Sequence, residues 1–283
     1  MEIDAVDANC SIRQGDIFAR LSAGASIPQE LGAIITADCD IENGSKNMNL
    51  VYLRVITVRQ YIEVHWAKKK IEKSLHVKSK DLSARLNSLS SMPNQEATPE
   101  ITEKFILDFI EDKTQNEIET SINSIAKNSL EPKKLGNLLA DFKQLKEIQS
   151  ALISPADFNF FQFLSKLANA SSEKLFAQAR GELSKPPDEV FFLSHVSTDL
   201  AGVGYYVLLN EISAIGRLGV TDSASKAREN STMVCRLSRL KPVFKHRLAQ
   251  QFSFLFQRIG LPDEYIGRNR AVLESLSNPL NGG

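Results

Sequence analysis

The chain has 283 residues, of which 42% are apolar and 24% are charged, and its 34 basic side chains balance 34 acidic ones. This composition excludes global disorder, because it supplies enough apolar surface for a packed core. The zero net charge excludes a protein whose whole surface is adapted to nucleic acid or membrane. The length allows one large domain or two smaller ones.

Residues 11–60 predict strands that are separated by turns. A weakly alternating run begins at Gly15, and a short β-branched run follows Gly32. The Leu50–Val58 run consists almost entirely of residues that favour strands. Between the second and third runs, the segment Glu42–Asn47 indicates a turn, because its Asn-Gly pair tolerates positive φ.

Residues 61–185 show helical periodicity instead. Apolar residues recur at helical spacing in three segments, which start near Pro99, Pro132 and Pro155. Proline is typical of the first helical turn, and the hydroxyls before Pro99 and Pro155 favour caps. A module of this length exceeds an ordinary connecting loop. The pattern therefore predicts a helical insertion.

Strand patterns resume in residues 186–262, and a segment from Pro242 to Ile259 predicts an amphipathic helix that stops before Gly260. Three strands near each end of the chain are too few for two stable sheets, so we expect one sheet from both blocks. The predicted fold is α+β. Residues 11–60 and 186–262 form a small β-barrel closed by the C-terminal helix, residues 61–185 form the helical insertion, and residues 263–283 form a tail.

The three cysteines, Cys10, Cys39 and Cys235, are widely spaced in the sequence. They indicate neither a disulfide framework nor a paired metal site, which favours a reducing compartment. The acidic N-terminal stretch lacks the basic and apolar segments of a signal peptide. No apolar run reaches the roughly 18 residues of a spanning helix. We therefore expect a cytoplasmic protein that does not enter the membrane.

The first candidate site is the polar tip formed by Asp38, Cys39 and Asp40 after the apolar strand at Gly32. A nucleophilic thiolate needs a base and a lowered pKa, but flanking carboxylates raise it. A zinc site needs about four ligands. The pattern favours carboxylates that cap a turn. A contact surface for a protein or ligand is the second interpretation, ahead of catalysis or metal binding.

The second candidate is His195, which follows a predicted strand and lies near Ser194 and Asp199 in the sequence. A histidine with an orienting carboxylate can act as a general base. A strand-end histidine held by local hydrogen bonds is the more common arrangement, so both interpretations stay open.

The C-terminal part of the chain has the strongest charge bias. Between Arg217 and Arg258 there are nine basic residues and two acidic ones. The candidate binding residues of this part are Arg236, Arg239, Lys241, Lys245 and Arg247. Such a set can neutralise phosphates. It can also pair with the acidic stretch at residues 96–131, within the chain or between subunits.

Several short segments occur in the order of a known family: Gly15-Asp16-Ile17, Ala33–Thr36, Val55–Thr57, Asn210–Ile215 and a helix after Leu240. Together they resemble the PemK/MazF-like small β-barrel family. The resemblance implies an SH3-like barrel and a metal-independent endoribonuclease with Thr57 at the active-site threonine position. Leu31-Gly32 stands where the family carries an Arg-Pro whose arginine takes part in cleavage. Without a nearby cation the largest electrostatic contribution to cleavage is missing.

Other segments, Gly15–Phe18, Thr36–Asp40 and Phe256–Pro262, resemble uncharacterised bacterial proteins from mobile-element and phage-defence gene neighbourhoods. We therefore expect a non-catalytic adaptor of an antiphage defence or toxin-antitoxin-type system that binds a protein partner. One alternative is a toxin-like endoribonuclease that uses Thr57 and His195, with a basic group from the C-terminal part. The other is a nucleic-acid-binding regulator. No phosphate loop, dinucleotide fingerprint or metalloprotease motif occurs, so we predict no cofactor and no metal. Association of the chain into a homo-oligomer is a further alternative.

Overall fold

The computed structural model describes residues 2–7, 10–23, 28–90, 101–126, 132–154, 158–197, 200 and 203–257. These residues form two compact units. The sheet unit contains the described residues up to Val58 and from Lys185 onward, and the helical unit contains those from Arg59 to Ser184. The chain is a mixed α+β protein. The predicted tail at 263–283 lies outside the described residues.

The sheet unit is built on one eight-stranded sheet. Its strands are β1 (Ile3–Ala5), β2 (Asp16–Arg20), β3 (Glu30–Ile34), β4 (Asn49–Thr57), β5 (Val190–Leu193), β6 (Tyr205–Gly216), β7 (Val220–Thr221) and β8 (Val234–Leu240). They lie in the antiparallel order β1-β8-β2-β3-β4-β6-β5, and β7 pairs in parallel with β8. Strands from before and after the helical unit therefore join in one sheet, as expected.

Alternation along the strands gives the sheet an inner and an outer face. Ile17 and Ala19 of β2 belong to the inner core, whereas Phe18 between them belongs to the outer core. The inner core contains residues from all seven strands of the order β1-β8-β2-β3-β4-β6-β5, from Ile3 in β1 to Leu193 in β5. One core that joins both ends of this order requires the sheet to curl, and it forms a half-barrel.

Helices cover both faces of the curled sheet. On the inner side, α10 (Pro242–Gln257) packs Phe244, Leu248, Phe252 and Leu255 against the core. On the outer side, α1 (Asp38–Asn43) buries Ile41. A third helix, α9 (Ala224–Glu229), follows β7.

The structure corrects the prediction for the segment after β3. The strand ends at Ile34, and helix α1 replaces the expected strand tip. A turn does occur within residues 42–47, but it lies at Lys46–Asn47, and the positive φ expected at Asn43-Gly44 is absent because Gly44 ends α1 with φ −74°. Burial of Ile41 in the outer core and an acidic first turn that suits the helix dipole outweigh the local turn propensity.

The helical unit is a succession of helices: α2 (Val58–Tyr61, which begins in the sheet unit), a π-helix (Ile62–Trp66), α3 (Ala67–Ser90), α4 (Glu103–Asp112), α5 (Gln115–Ala126), α6 (Pro132–Leu152), α7 (Phe160–Ala168) and α8 (Ser172–Glu182). Pro132 starts α6 as predicted, whereas Pro99 and Pro155 lie outside the described residues. The side chains of Thr102 and Asn159 cap α4 and α7 instead. No helix of the described ranges has the length and apolar character needed to cross a membrane.

Candidate functional site

The structure brings Thr57 and His195, the two candidate catalytic residues of the endoribonuclease alternative, to the same end of the sheet. Thr57 of β4 pairs with Tyr205 of β6, which in turn pairs with Leu193 of β5. His195 follows Leu193 by two residues, so Thr57 and the His195 segment lie about two strand spacings apart, roughly 10 Å. The carboxylate expected beside His195, Asp199, lies outside the described residues.

A different carboxylate, from Glu2, meets the His195 segment. The Ser194 hydroxyl donates to Glu2 Oε2 at 2.5 Å and lies 2.5 Å from His195 Nδ1. Because the single hydroxyl hydrogen goes to Glu2, the Ser194 oxygen can accept from Nδ1–H of His195, and in that tautomer the ring carries its lone pair on Nε2. The ring is 28% exposed, so this arrangement can present a general base to solvent.

The same contacts connect the segment after β5, at one edge of the sheet, to Glu2 before β1, at the other edge. Burial alone would raise the pKa of Glu2. The hydrogen bonds from the Ser194 hydroxyl and from backbone groups lower it by more, so the net pKa is below the ordinary value. A second contact follows where Ser238 of β8 donates its hydroxyl to the Val196 carbonyl at 2.6 Å. The Glu2–Ser194–His195 chain therefore also stabilises the curl of the sheet.

The predicted tip residues Asp38, Cys39 and Asp40 occupy the first turn of α1. Asp38 accepts from the Gln14 backbone N–H at 2.8 Å and from Lys245 Nζ at 2.7 Å. Its carboxylate thus links α1 to the segment before β2 and to α10. Cys39 and Asp40 are exposed, with 3.6 Å between Sγ and Oδ1. Across the described ranges, no group of three or more histidine, cysteine or acidic side chains is arranged to hold a metal ion.

Changing Asp38 to asparagine tests the link to Lys245. Burial raises the pKa of Asp38, but the hydrogen bonds from Lys245 and Gln14 and the charges of Lys245 and Arg13 lower it to a net value below the ordinary one. Because the folded state depresses this pKa, the ionised Asp38 side chain stabilises the folded protein at neutral pH. This contribution to stability is lost as the pH falls below about 4. We expect Asp38→Asn to lower the unfolding free energy by about 1 kcal/mol at pH 7 and to match the parent protein in acid.

Urea denaturation at neutral and acidic pH measures this difference. The matched control is Asp40→Asn, since Asp40 is exposed on the same helix turn. Equal losses in the two variants at neutral pH would contradict a specific role for the Lys245 pair.

The predicted binding residues Arg236 and Arg239 are held inside the sheet unit by Asp16. The Asp16 side chain is fully buried and lies 3.1 Å from Arg236 Nη1 and 2.5 Å from Arg239 Nε. Arg236, whose side chain is 1% exposed, also donates to Asp222 Oδ1 at 2.7 Å. These guanidinium groups further donate to the carbonyls of Cys10 and Ser11 and so fix the chain before β2.

The other predicted binding residues lie on or beside α10. Lys245 pairs with Asp38, and Lys241 Nζ lies 3.8 Å from Asp4 Oδ1. Arg247 is exposed and donates to the neutral Gln250 Oε1 at 3.1 Å. Four carboxylates of the sheet unit itself, from Asp4, Asp16, Asp38 and Asp222, are therefore the partners of the other four members of this basic set.

The helical unit carries a separate groove of about 560 Å³. Its lining combines apolar and neutral polar side chains with Glu63. The volume suits a small ligand. However, Glu63 accepts from Arg59 Nε at 2.8 Å, and no second ionisable residue is among the described lining side chains. The groove therefore offers packing but no acid–base pair.

Comparisons with protein-family models, curated proteins and solved structures give no match for this chain.

Proposed function

We propose that this chain is a non-catalytic interaction protein that binds a protein partner. The observation that supports this proposal is that the candidate charged residues contact one another, whereas apolar side chains are exposed. Asp16, Asp38, Arg236 and Lys245 use their charged groups on one another or on neighbouring chain segments. Large apolar side chains are meanwhile exposed on α10, which favours a contact surface over a chemical centre.

We also propose that the sheet unit is an SH3-like barrel of the PemK/MazF type. Its support is the position of the resembling segments, which fall at the start of β2, across the end of β3, at the end of β4 and within β6. Together with the resemblance to proteins from phage-defence neighbourhoods, this motivates a role in an antiphage or toxin-antitoxin-type system of the bacterial cytoplasm.

Site-specific photo-crosslinking in cells of the source organism tests the interaction. The crosslinker is placed at exposed positions of both units, Gln250 on α10 and Phe105 on α4, with exposed Lys226 on α9 as the control. We expect a discrete crosslinked protein from Gln250 or Phe105 and none from Lys226. A diffuse pattern that is the same at all three positions would refute the proposal.

A second candidate function, a toxin-like endoribonuclease, is favoured by the Glu2–Ser194–His195 chain. Under this hypothesis the parent protein cuts RNA without added metal. Loss of the base in His195→Ala lowers the rate by about a hundredfold or more. Glu2→Gln, which changes a positioning residue, shifts the pH profile, and Thr57→Ala abolishes cleavage. His246→Ala is the matched control, because His246 is an exposed histidine on α10. Intact RNA after prolonged incubation with the parent protein rules this function out.

A further inference from the structure

Helix α10 has two distinct faces. The inner face packs on the core of the sheet unit through Phe244, Leu248, Phe252 and Leu255. The outer face consists of the exposed residues at the complementary helical spacing, Val243, His246, Arg247, Gln250, Ser253 and Phe254. Val243 is 76% exposed and Phe254 is 51% exposed. These two apolar residues are eleven positions apart, so they lie on one stripe about 16 Å apart along the helix axis.

The charge between these two apolar ends is positive. No aspartate or glutamate occurs in Pro242–Gln257, although the whole chain is neutral. Lys245 is directed to Asp38, so it does not contribute to the outer face. Arg247 lies between Val243 and Phe254 and donates to Gln250, an uncharged partner. The outer face therefore combines two apolar anchors with a guanidinium that has no acidic partner on its own helix.

Nucleic acid does not suit this arrangement. A nucleic-acid interface neutralises several phosphates with lysine and arginine side chains. In the predicted basic set, Arg236, Arg239 and Lys245 are bound to buried or half-buried carboxylates, and Lys241 lies near Asp4. Arg247 remains as the arginine directed outward, and two large apolar side chains flank it.

A second copy of the same helix does not suit the outer face either. In an isologous contact the face would pack on itself, so that Arg247 met its own counterpart near the two-fold axis. Like charges brought together at an interface cost free energy, and α10 supplies no carboxylate to compensate. The face is complementary to a surface of opposite charge on a different protein.

We propose that the outer face of α10 binds an acidic amphipathic helix of a different protein, with apolar side chains on Val243 and Phe254 and a carboxylate on Arg247. This inference rests on the proposed interaction function and specifies its surface and the chemistry of its partner. A helix is a suitable partner because Val243 and Phe254 are about three helical turns apart, and side chains at this spacing can pack between the ridges of a facing helix. A carboxylate paired with arginine adds register and selectivity.

Two synthetic amphipathic helical peptides test the inference with the full-length chain. They share their apolar positions and differ in carrying glutamate or lysine between them, and fluorescence anisotropy measures their affinity. We expect the acidic peptide to bind at least about tenfold more tightly than the basic one. Arg247→Glu is expected to reverse this preference. The paired change Val243→Ser with Phe254→Ser is expected to weaken both peptides by about tenfold or more.

The matched control is Lys226→Glu, a charge reversal on exposed helix α9 that should leave both affinities unchanged. Circular dichroism checks that each variant is folded, which is expected because the altered side chains are exposed. Equal binding of the two peptides, or a preference unaffected by Arg247→Glu, overturns the inference. Tighter binding of a DNA or RNA oligonucleotide, or a dimer abolished by the serine changes, also overturns it. A crosslinked partner found from Phe105 but not from Gln250 would leave the interaction function standing and refute this surface.

Discussion

Replacing Asp16 with alanine is expected to lower the unfolding free energy of the sheet unit by about 3–5 kcal/mol. The Asp16 carboxylate is fully buried, and it accepts from Arg236, from both Nε and Nη2 of Arg239, and from the Arg13 backbone N–H. Its removal leaves Arg236, itself 1% exposed, with Asp222 as its one acidic partner among the described residues. A buried charge that loses its partner costs far more than an exposed ion pair.

The matched control is Glu42→Ala, which removes a carboxylate from the exposed Arg13–Glu42 pair. That change is expected to cost about 0–1 kcal/mol. Urea denaturation followed by circular dichroism gives the stability. Hydrogen exchange of peptides from β2 and β8 shows whether the loss is located at Asp16. A cost for Asp16→Ala no greater than that for Glu42→Ala would contradict the role of the buried network.

Replacing Gly32 with alanine is expected to destabilise the sheet unit by about 1–3 kcal/mol, although alanine adds a single methyl group. A Cβ at Gly32 would overlap the ring of Phe18 and lie 2.7 Å from Cδ2 of Tyr52. These rings form an edge-to-face pair with centroids 4.8 Å apart. Phe18 is fully buried, and the Tyr52 hydroxyl donates to Glu30 Oε1 at 2.7 Å. Neither ring can withdraw without loss of packing or of that hydrogen bond.

Gly136→Ala supplies the opposite control in the helical unit. Gly136 lies within α6, and a Cβ there would meet nothing within 4 Å. The same substitution is expected to stabilise that helix by about 0.5–1 kcal/mol, because alanine loses less backbone entropy than glycine. Urea denaturation followed by circular dichroism measures the sheet-unit change, and Trp66 fluorescence follows the helical unit, where Trp66 lies. An unaltered or raised stability for Gly32→Ala would contradict the close approach.

Local patterns predicted much of the sheet. The Leu50–Val58 run gave β4 almost to the residue, and the periodicity after Pro242 gave α10, because both signals depend on neighbours in sequence. β1 was missed, since its three residues carry little pattern of their own and form a strand by pairing with β8. Helix α1 was mistaken for a strand tip because burial of Ile41 on the outer core is a long-range effect.

The contacts of the candidate site were less predictable. Glu2 meets Ser194 across 192 positions of the chain, and Asp16 meets Arg239 across 223. The residue types suggested hydroxyl, imidazole and charged groups with possible roles, but only the curl of the sheet decides which of them meet. A signal was present in one case: an acidic residue at the start of an apolar strand, such as Asp16, needs a charged or hydrogen-bonding partner if it is buried.

The position of β8 in the sheet has a consequence for the order of folding. Residues 234–240 lie between β1 and β2, which precede them by more than 200 positions, so these two pairings are among the most non-local in the chain. The helices of residues 59–184 form through contacts of shorter range, which are made faster because less chain must be closed into a loop. During synthesis the helical unit is complete before β8 leaves the ribosome, and β2 carries Asp16 without its arginines until then. We therefore expect the sheet unit to fold late, and we expect its unpaired strands to be the segments most exposed to aggregation until β8 is made.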